Sequence, residues 1–157
     1  MLKYLAIFLV SMVPIIELRG AIPISQGLGL PIISSYIICI IGNMIPVPFI
    51  YLFARRLLEW GKDKRYTGKF FTWCLEKGEK GGKKLTEKAG RGTFLALLLF
   101  VGIPLPGTGA WTGALIAALL KLNPKKSFFT ILLGVVLAAA VVTLGVYGVF
   151  GFLKNMV

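Results

Sequence analysis

One carboxylate in this sequence stands apart from the rest. Of six acidic residues, Glu59, Asp63, Glu76, Glu79 and Glu87 share a basic segment, while Glu17 is embedded in apolar sequence. An ionised carboxylate in such surroundings costs several kcal/mol unless it is paired or hydrated. Its chemistry there is that of a protonation site that couples movement of a substrate to movement of a proton. The competing role is structural, as an acceptor for the amides of a turn or a partner for Arg19. That arginine, two residues on, stays charged at any relevant pH and offers a fork that matches phosphate or carboxylate. It either grips an anionic group or clamps internal carbonyls. In a continuous helix two residues two apart would not face each other; in a turn they can.

A second polar cluster lies in PLPGTGAWTG, where Thr108, Trp111 and Thr112 alternate with Gly107, Gly109 and Gly113. Glycine-rich turns can present backbone amides to an anion at the start of a helix. The stretch lacks the GK[ST] ending of a nucleotide loop and misses the dinucleotide spacing, and its glycines would equally serve close helix packing. Gly20 and Pro23 beside the first pair, and Asn43 beside Gly42 and ahead of Pro46, complete the candidate substrate-binding set; Asn43 could instead make an interhelical hydrogen bond. Neither a metal nor a cofactor is expected. There is no histidine, and Cys39 and Cys74 have no CxxC spacing. No nucleophile–base pair can be assembled, so the chain is not expected to be an enzyme.

The elements that must hold these residues follow from composition. The chain has 157 residues, 57% hydrophobic and only 15% charged, against about 25% charged in a soluble domain. Uncharged runs of 35, 29 and 27 residues follow Arg19, Arg91 and Lys126, each longer than the ~20 apolar residues that cross a bilayer as helix. The chain is therefore expected to be an all-α integral membrane protein, at home in a prokaryotic plasma membrane. The apolar N-terminus lacks a small-residue cleavage site and is read as mature protein rather than signal peptide.

Punctuation by charge, proline and glycine divides the chain into apolar stretches at 4–30, 32–58, 92–120 and 127–153, with a polar, basic stretch at 59–91. The first and third apolar stretches are interrupted, one by Glu17, Arg19, Gly20 and Pro23, the other by Pro104, Pro106, Gly107 and Gly109. Roughly 12 helical residues before each break reach about 18 Å, the middle of a ~30 Å hydrocarbon core. Each is either a re-entrant helical hairpin or a kinked spanning helix. Charge favours re-entrance. Twelve Lys and Arg between Arg55 and Arg91 place 59–91 in the cytoplasm, and only a returning 92–120 keeps the basic loop 121–126 there too. The uncharged loop around Pro31 suits the outside, so the two hairpins would enter from opposite faces and meet near the midplane.

A faint repeat agrees, aligning Arg19-Gly-Ala-Ile-Pro with Thr108-Gly-Ala-Trp-Thr and Pro31-Ile-Ile-Ser with Pro124-Lys-Lys-Ser. The expected fold is one membrane domain of two inverted repeats, each a re-entrant hairpin followed by a transmembrane helix. Repeat A is 1–58, the linker 59–91 and repeat B 92–157, in the manner of a secondary transporter. Segment 62–91 mixes basic residues with Tyr66, Phe70, Phe71 and Trp73, which suits an amphipathic helix on the anionic inner leaflet. The net charge of +12 is thus read as membrane contact, and nucleic acid is not an expected partner. With four short membrane elements, a homodimer is one way to seal a cavity.

ELRGAIP near the start and PLPGTGAWTG in the second half together resemble the small multidrug export protein family, over most of the chain. The architecture also resembles the wider DedA/VTT superfamily. That resemblance implies paired re-entrant hairpins and movement of polyprenyl-phosphate carriers or phospholipids, with intramembrane acidic and arginine residues engaged; the arginine of that pattern's second tip is replaced here by Gly107, Thr108 and Gly109. The leading expectation is a proton-coupled transporter, with Glu17 carrying the proton and Arg19 holding an anionic small-molecule or lipid substrate between the tips. Efflux of small cationic drugs and a non-transporting membrane scaffold are the alternatives.

Overall fold

A computed structural model of the chain describes residues 2–14, 16–62, 91–104 and 108–156, together with isolated positions 68, 69, 72, 76 and 87. All regular structure among them is helical. The helices are α1 (Leu2–Met12), α2 (Glu17–Gly27), α3 (Ile32–Met44), α4 (Pro46–Lys62), α5 (Arg91–Gly102), α6 (Ala110–Leu119) and α7 (Pro124–Met156). The expected amphipathic helix at 62–91 lies outside the described residues apart from those isolated positions.

Two helical runs are long and apolar enough to cross a bilayer, Ile32–Gly61 through the α3–α4 junction and Pro124–Gly148 within α7. The other apolar helices are short. At 11, 11, 12 and 10 residues, α1, α2, α5 and α6 each rise about 15–18 Å, half the hydrocarbon thickness. They form two antiparallel pairs. Lys3 at the start of α1 donates to Leu28 O just beyond α2, at 3.0 Å, and a shared groove brings Thr93 and Leu97 of α5 against Ile116 and Leu120 of α6.

The pairs open at opposite ends of the long helices. Tyr36 Oη donates to Val136 O at 2.9 Å and Tyr51 Oη to Leu122 O at 2.6 Å, so the α3–α4 run and α7 are antiparallel. The first pair opens beside Pro31 at the start of α3, and the second beside Leu122, near the Arg55 end of α4. Lys126, at the start of α7, lies over the Phe94 ring at the start of α5. Arg55, Lys121, Lys125 and Lys126 therefore gather at one end.

Packing relies on small residues, because lipid tails leave little hydrophobic drive between helices. In α6, Ala110, Ala114, Ala117 and Ala118 are all but fully buried, and the helix contacts α4, α5 and α7. Two glycines bring each first helix against the long helix that follows it. A Cβ on Gly42 would collide with Ser11 Oγ and lie 2.8 Å from Phe8 O; one on Gly134 would lie 2.8 Å from Val101 Cβ and 2.9 Å from Leu98 O. Large apolar side chains instead crowd the outside, including Phe49, Leu52 and Phe53 on α4 and Phe129, Leu133 and Leu144 on α7. Such a surface belongs against hydrocarbon rather than water.

Matching features recur 92 positions apart. α2 ends with Leu28 N and Leu30 N bonded to Ile24 O and Ser25 O around Gly29 at φ 71; α6 ends with Leu120 N and Leu122 N bonded to Ile116 O and Ala117 O around Lys121 at φ 50. The following helices start after Pro31 and Asn123, bury Ser35 and Ser127, and carry Gly42 and Gly134. At the 92-position spacing Pro31 pairs with Asn123 rather than Pro124, and Arg19 with Trp111 rather than Thr108. The first break is also earlier than expected. The α-helix stops at Met12, ahead of Pro14, and Gly20 and Pro23 lie inside α2 rather than in the turn.

Overpacking a helix contact costs about 1–3 kcal/mol, so Gly42→Ala and Gly134→Ala are expected to lower the melting temperature of the purified protein in detergent. Gly145→Ala is the control. Nothing lies within 4 Å of a Cβ there, and alanine in place of glycine gains up to about 1 kcal/mol of helix propensity, so its melting temperature should hold or rise.

Candidate functional site

Two breaks, one between α1 and α2 and one between α5 and α6, free backbone groups, and each takes hydrogen-bond partners from the other. At the second break α6 begins with unpaired amides. Glu17 lies across them: its Oε1 accepts from Trp111 N at 3.3 Å, and the carboxylate also accepts from Ala110 N. Glu17 is only 5% exposed. It opens α2 at φ 49, a left-handed conformation costing a non-glycine residue roughly 1–2 kcal/mol. A carboxylate at a helix N-terminus gains from the macrodipole as well as from the hydrogen bonds. Gly109 is what admits it, since a Cβ there would collide with Glu17 Oε2 and lie 2.7 Å from Oε1.

Arg19 serves the other side of the same break. Its Nη2 donates to Val101 O at 3.3 Å and Ile103 O at 3.2 Å, carbonyls at the end of α5, and to Thr108 Oγ1 at 3.0 Å. Thr108 Oγ1 in turn donates to Ile103 O at 2.9 Å. A cation at a helix C-terminus complements the negative end of the dipole. Glu17 and Arg19 thus take the N-terminus of α6 and the C-terminus of α5, with opposite charges on opposite dipole ends. The return contact comes from Trp111, whose Nε1 donates to Met12 O at 3.1 Å, at the end of α1. Arg19 and Trp111, the pair 92 positions apart, each bind the terminal carbonyls of the other half's first helix.

The candidate residues therefore divide. Glu17, Arg19, Thr108, Gly109 and Trp111 meet in one interlocked junction, in which Glu17 and Arg19 act as a clamp. Gly20 packs within its own helix, where a Cβ would collide with Ile16 Cγ2. Pro23 lies one turn beyond Arg19 in α2 and removes the amide that would have bonded the Arg19 carbonyl. Thr112 is half-buried on α6. Asn43 is fully buried in α3, and neither amide atom makes a hydrogen bond among the described residues; it is not joined to the junction. Gly107 lies outside the described residues. Sequence reasoning passed over Pro14, whose missing amide was a readable stop signal for α1, and Met12, whose part is played by a backbone carbonyl that no residue type announces.

Removing Arg19 leaves carbonyls at the end of α5 without their cationic donor, a loss of roughly 1–3 kcal/mol for a charged hydrogen bond. Arg19→Met is therefore expected to melt earlier in detergent than Trp111→Phe, which gives up one neutral bond of about 0.5–1.5 kcal/mol. Gly109→Ala, which drives a methyl into the Glu17 carboxylate, should be destabilised in the wild type but less so combined with Glu17→Ala. A double-mutant cycle on melting temperatures reads that coupling.

Residues 17–141 match the family model described as "Putative small multi-drug export protein". No curated protein and no solved structure matches the chain. The matched stretch begins at Glu17 and takes in both sides of the junction and most of α7. The two helical runs apolar and long enough for a bilayer lie wholly or largely inside it, and their outer faces suit lipid. The chain is a membrane protein that belongs to the small multi-drug export protein family.

Proposed function

We propose that the protein is a proton-coupled exporter built as two inverted repeats, with α1–α2 and α5–α6 as re-entrant hairpins entering from opposite faces. The observation that carries this is the junction of Glu17 and Arg19 with the ends of α5 and α6. Two half-depth helix pairs opening at opposite ends, with their breaks in contact, support alternating access about that junction. The equivalence of Arg19 and Trp111 supports a pseudo-two-fold relation between the halves. The gathering of Arg55, Lys121, Lys125 and Lys126 at one end supports a cytoplasmic position for that end.

Coupling follows from what the clamp is made of. With Glu17 ionised, its charge and hydrogen bonds hold the start of α6, and the path between the tips is shut. Protonation removes the charge that the helix terminus holds, weakens the bonds to Ala110 and Trp111, and lets the two breaks separate. Separation also strips Arg19 of its carbonyl partners. A bare guanidinium at that depth is costly, so an anionic group on the substrate, such as a lipid phosphate, replaces those partners and completes the open state. Export of small cationic drugs is the second reading. The family description favours it, and ionised Glu17 would then be the substrate's partner.

The test is flux in proteoliposomes with an imposed pH gradient, using labelled polyprenyl phosphate in one series and a fluorescent cationic amphiphile in another. Wild type is expected to move the polyprenyl phosphate and to respond to the gradient. Glu17→Gln, isosteric and uncharged, should keep the fold but lose the response to pH, while Arg19→Lys should fold and lose transport of the anion. Movement of the cation alone, lost in Glu17→Gln and kept in Arg19→Lys, would replace the first reading with the second. A wild type moving neither under a gradient, with both variants also silent, would leave a membrane scaffold.

A further inference from the structure

Between α4 and the first turns of α7 lies a groove of about 280 Å³, many times the ~30 Å³ that a water occupies in the liquid. Val47, Tyr51 and Leu52 form one wall and Ser127, Phe129 and Ile131 the other, with Lys125 at the end. Its lining is apolar except for two features. Ser127 is buried, and its hydroxyl makes no hydrogen bond among the described residues. A serine or threonine in a helix ordinarily bonds back to a carbonyl one turn earlier, as Thr130 does to Lys126 O at 2.8 Å on the same helix. Ser127 forgoes that bond, and its covered hydroxyl lies behind the groove wall rather than open to the groove. The second feature is charge: Lys125 is exposed in the first turn of α7, and Arg55 lies beside the Tyr51 hydroxyl. Tyr51 itself is tied to Leu122 O, which fixes the wall and leaves the cations at the rim.

An apolar slot with a cationic rim is shaped for an amphiphile with a negative head. We propose that this groove holds one phospholipid with an anionic headgroup. Its acyl chain runs along Val47, Leu52 and Phe129, and its phosphate lies at Lys125. The rim selects the occupant. A zwitterionic lipid offers the same chain but brings a cation of its own to Lys125, and a second copy of this chain would bring more basic residues to an already basic end. The groove is separate from the junction of Glu17 and Arg19, and it binds this lipid whether or not the protein transports one.

Native mass spectrometry of the full chain in detergent, titrated with phosphatidylglycerol or phosphatidylcholine, tests the site. Wild type is expected to retain one phosphatidylglycerol in preference to phosphatidylcholine. Lys125→Gln, a change at an exposed side chain, should cut that preference about fivefold, the weight of one lysine at an anionic surface. Leu52→Trp, which fills the groove from an exposed position, should lower retention of both lipids, whereas Leu57→Trp, exposed on the same helix and outside the groove, should not. Equal retention of the two lipids by wild type, or retention untouched by both Lys125→Gln and Leu52→Trp, would overturn the proposal. So would a dimer in which no lipid is retained, since the groove would then be covered by a second copy.

Discussion

A helix break among apolar helices leaves carbonyls at one end and amides at the next start, and apolar surroundings can satisfy neither. The rest of this structure is arranged around that constraint. Local partners close the breaks only in part, with Thr108 donating to Ile103 O and Glu17 N to Val13 O. The other donors and acceptors come from across the molecule: a guanidinium for the end of α5, a carboxylate for the start of α6, an indole for the end of α1. Charged hydrogen bonds of this kind are worth more than neutral ones, and here they also oppose the left-handed cost of Glu17. Two defects, each untenable in lipid alone, become one another's partners.

Bringing the defects together requires helices to approach closely. The helix α6 can sit among α4, α5 and α7 because its buried face is Ala110, Gly113, Ala114, Ala117 and Ala118, with almost no side-chain bulk. Gly42 and Gly134 do the same for α1 and α5 against the long helices behind them. Each places a first helix so that its terminal carbonyl points at the opposite half. Gly109 then removes the last obstruction, the Cβ that would occupy the space of the Glu17 carboxylate. Small residues at these points are the geometric condition for the polar contacts.

Much of this was legible in the residues, and the part that was not has physical reasons. Uncharged runs announced membrane helices, and the proline and glycine cluster after Gly102 placed the second break correctly. Glu17 and Arg19 stood out because charge in apolar sequence must be answered by something. What answered them was hidden, since Val101 and Ile103 contribute backbone carbonyls and Ala110 and Trp111 contribute amides, and any residue type could do so. The letters did not show the 92-position spacing because positions that far apart do similar work with different chemistry. Gly29 and Lys121 both take positive φ at a helix end, Pro31 and Asn123 both precede a long helix, and Arg19 and Trp111 both donate to terminal carbonyls. Matching letters, as between the glycines at 20 and 109, paired positions whose roles differ: one packs inside a helix, the other makes room for a carboxylate.

The contacts of the junction join residues 82 to 99 positions apart in the chain, and this has a consequence for how the protein is made. At synthesis rates of about 5–20 residues per second, Glu17 and Arg19 enter the membrane roughly 5–20 s before the carbonyls and amides that receive them exist. For that interval the nascent N-terminal half carries a carboxylate, a guanidinium and an open helix end with no native partners. Something else must shelter them: the insertion machinery, interfacial water, or a stay at the membrane surface until α5 and α6 emerge. A chain cut short in the basic segment would stay in that condition, a natural target for membrane quality control. Each half is a complete string of helices, yet neither is a complete structure at birth.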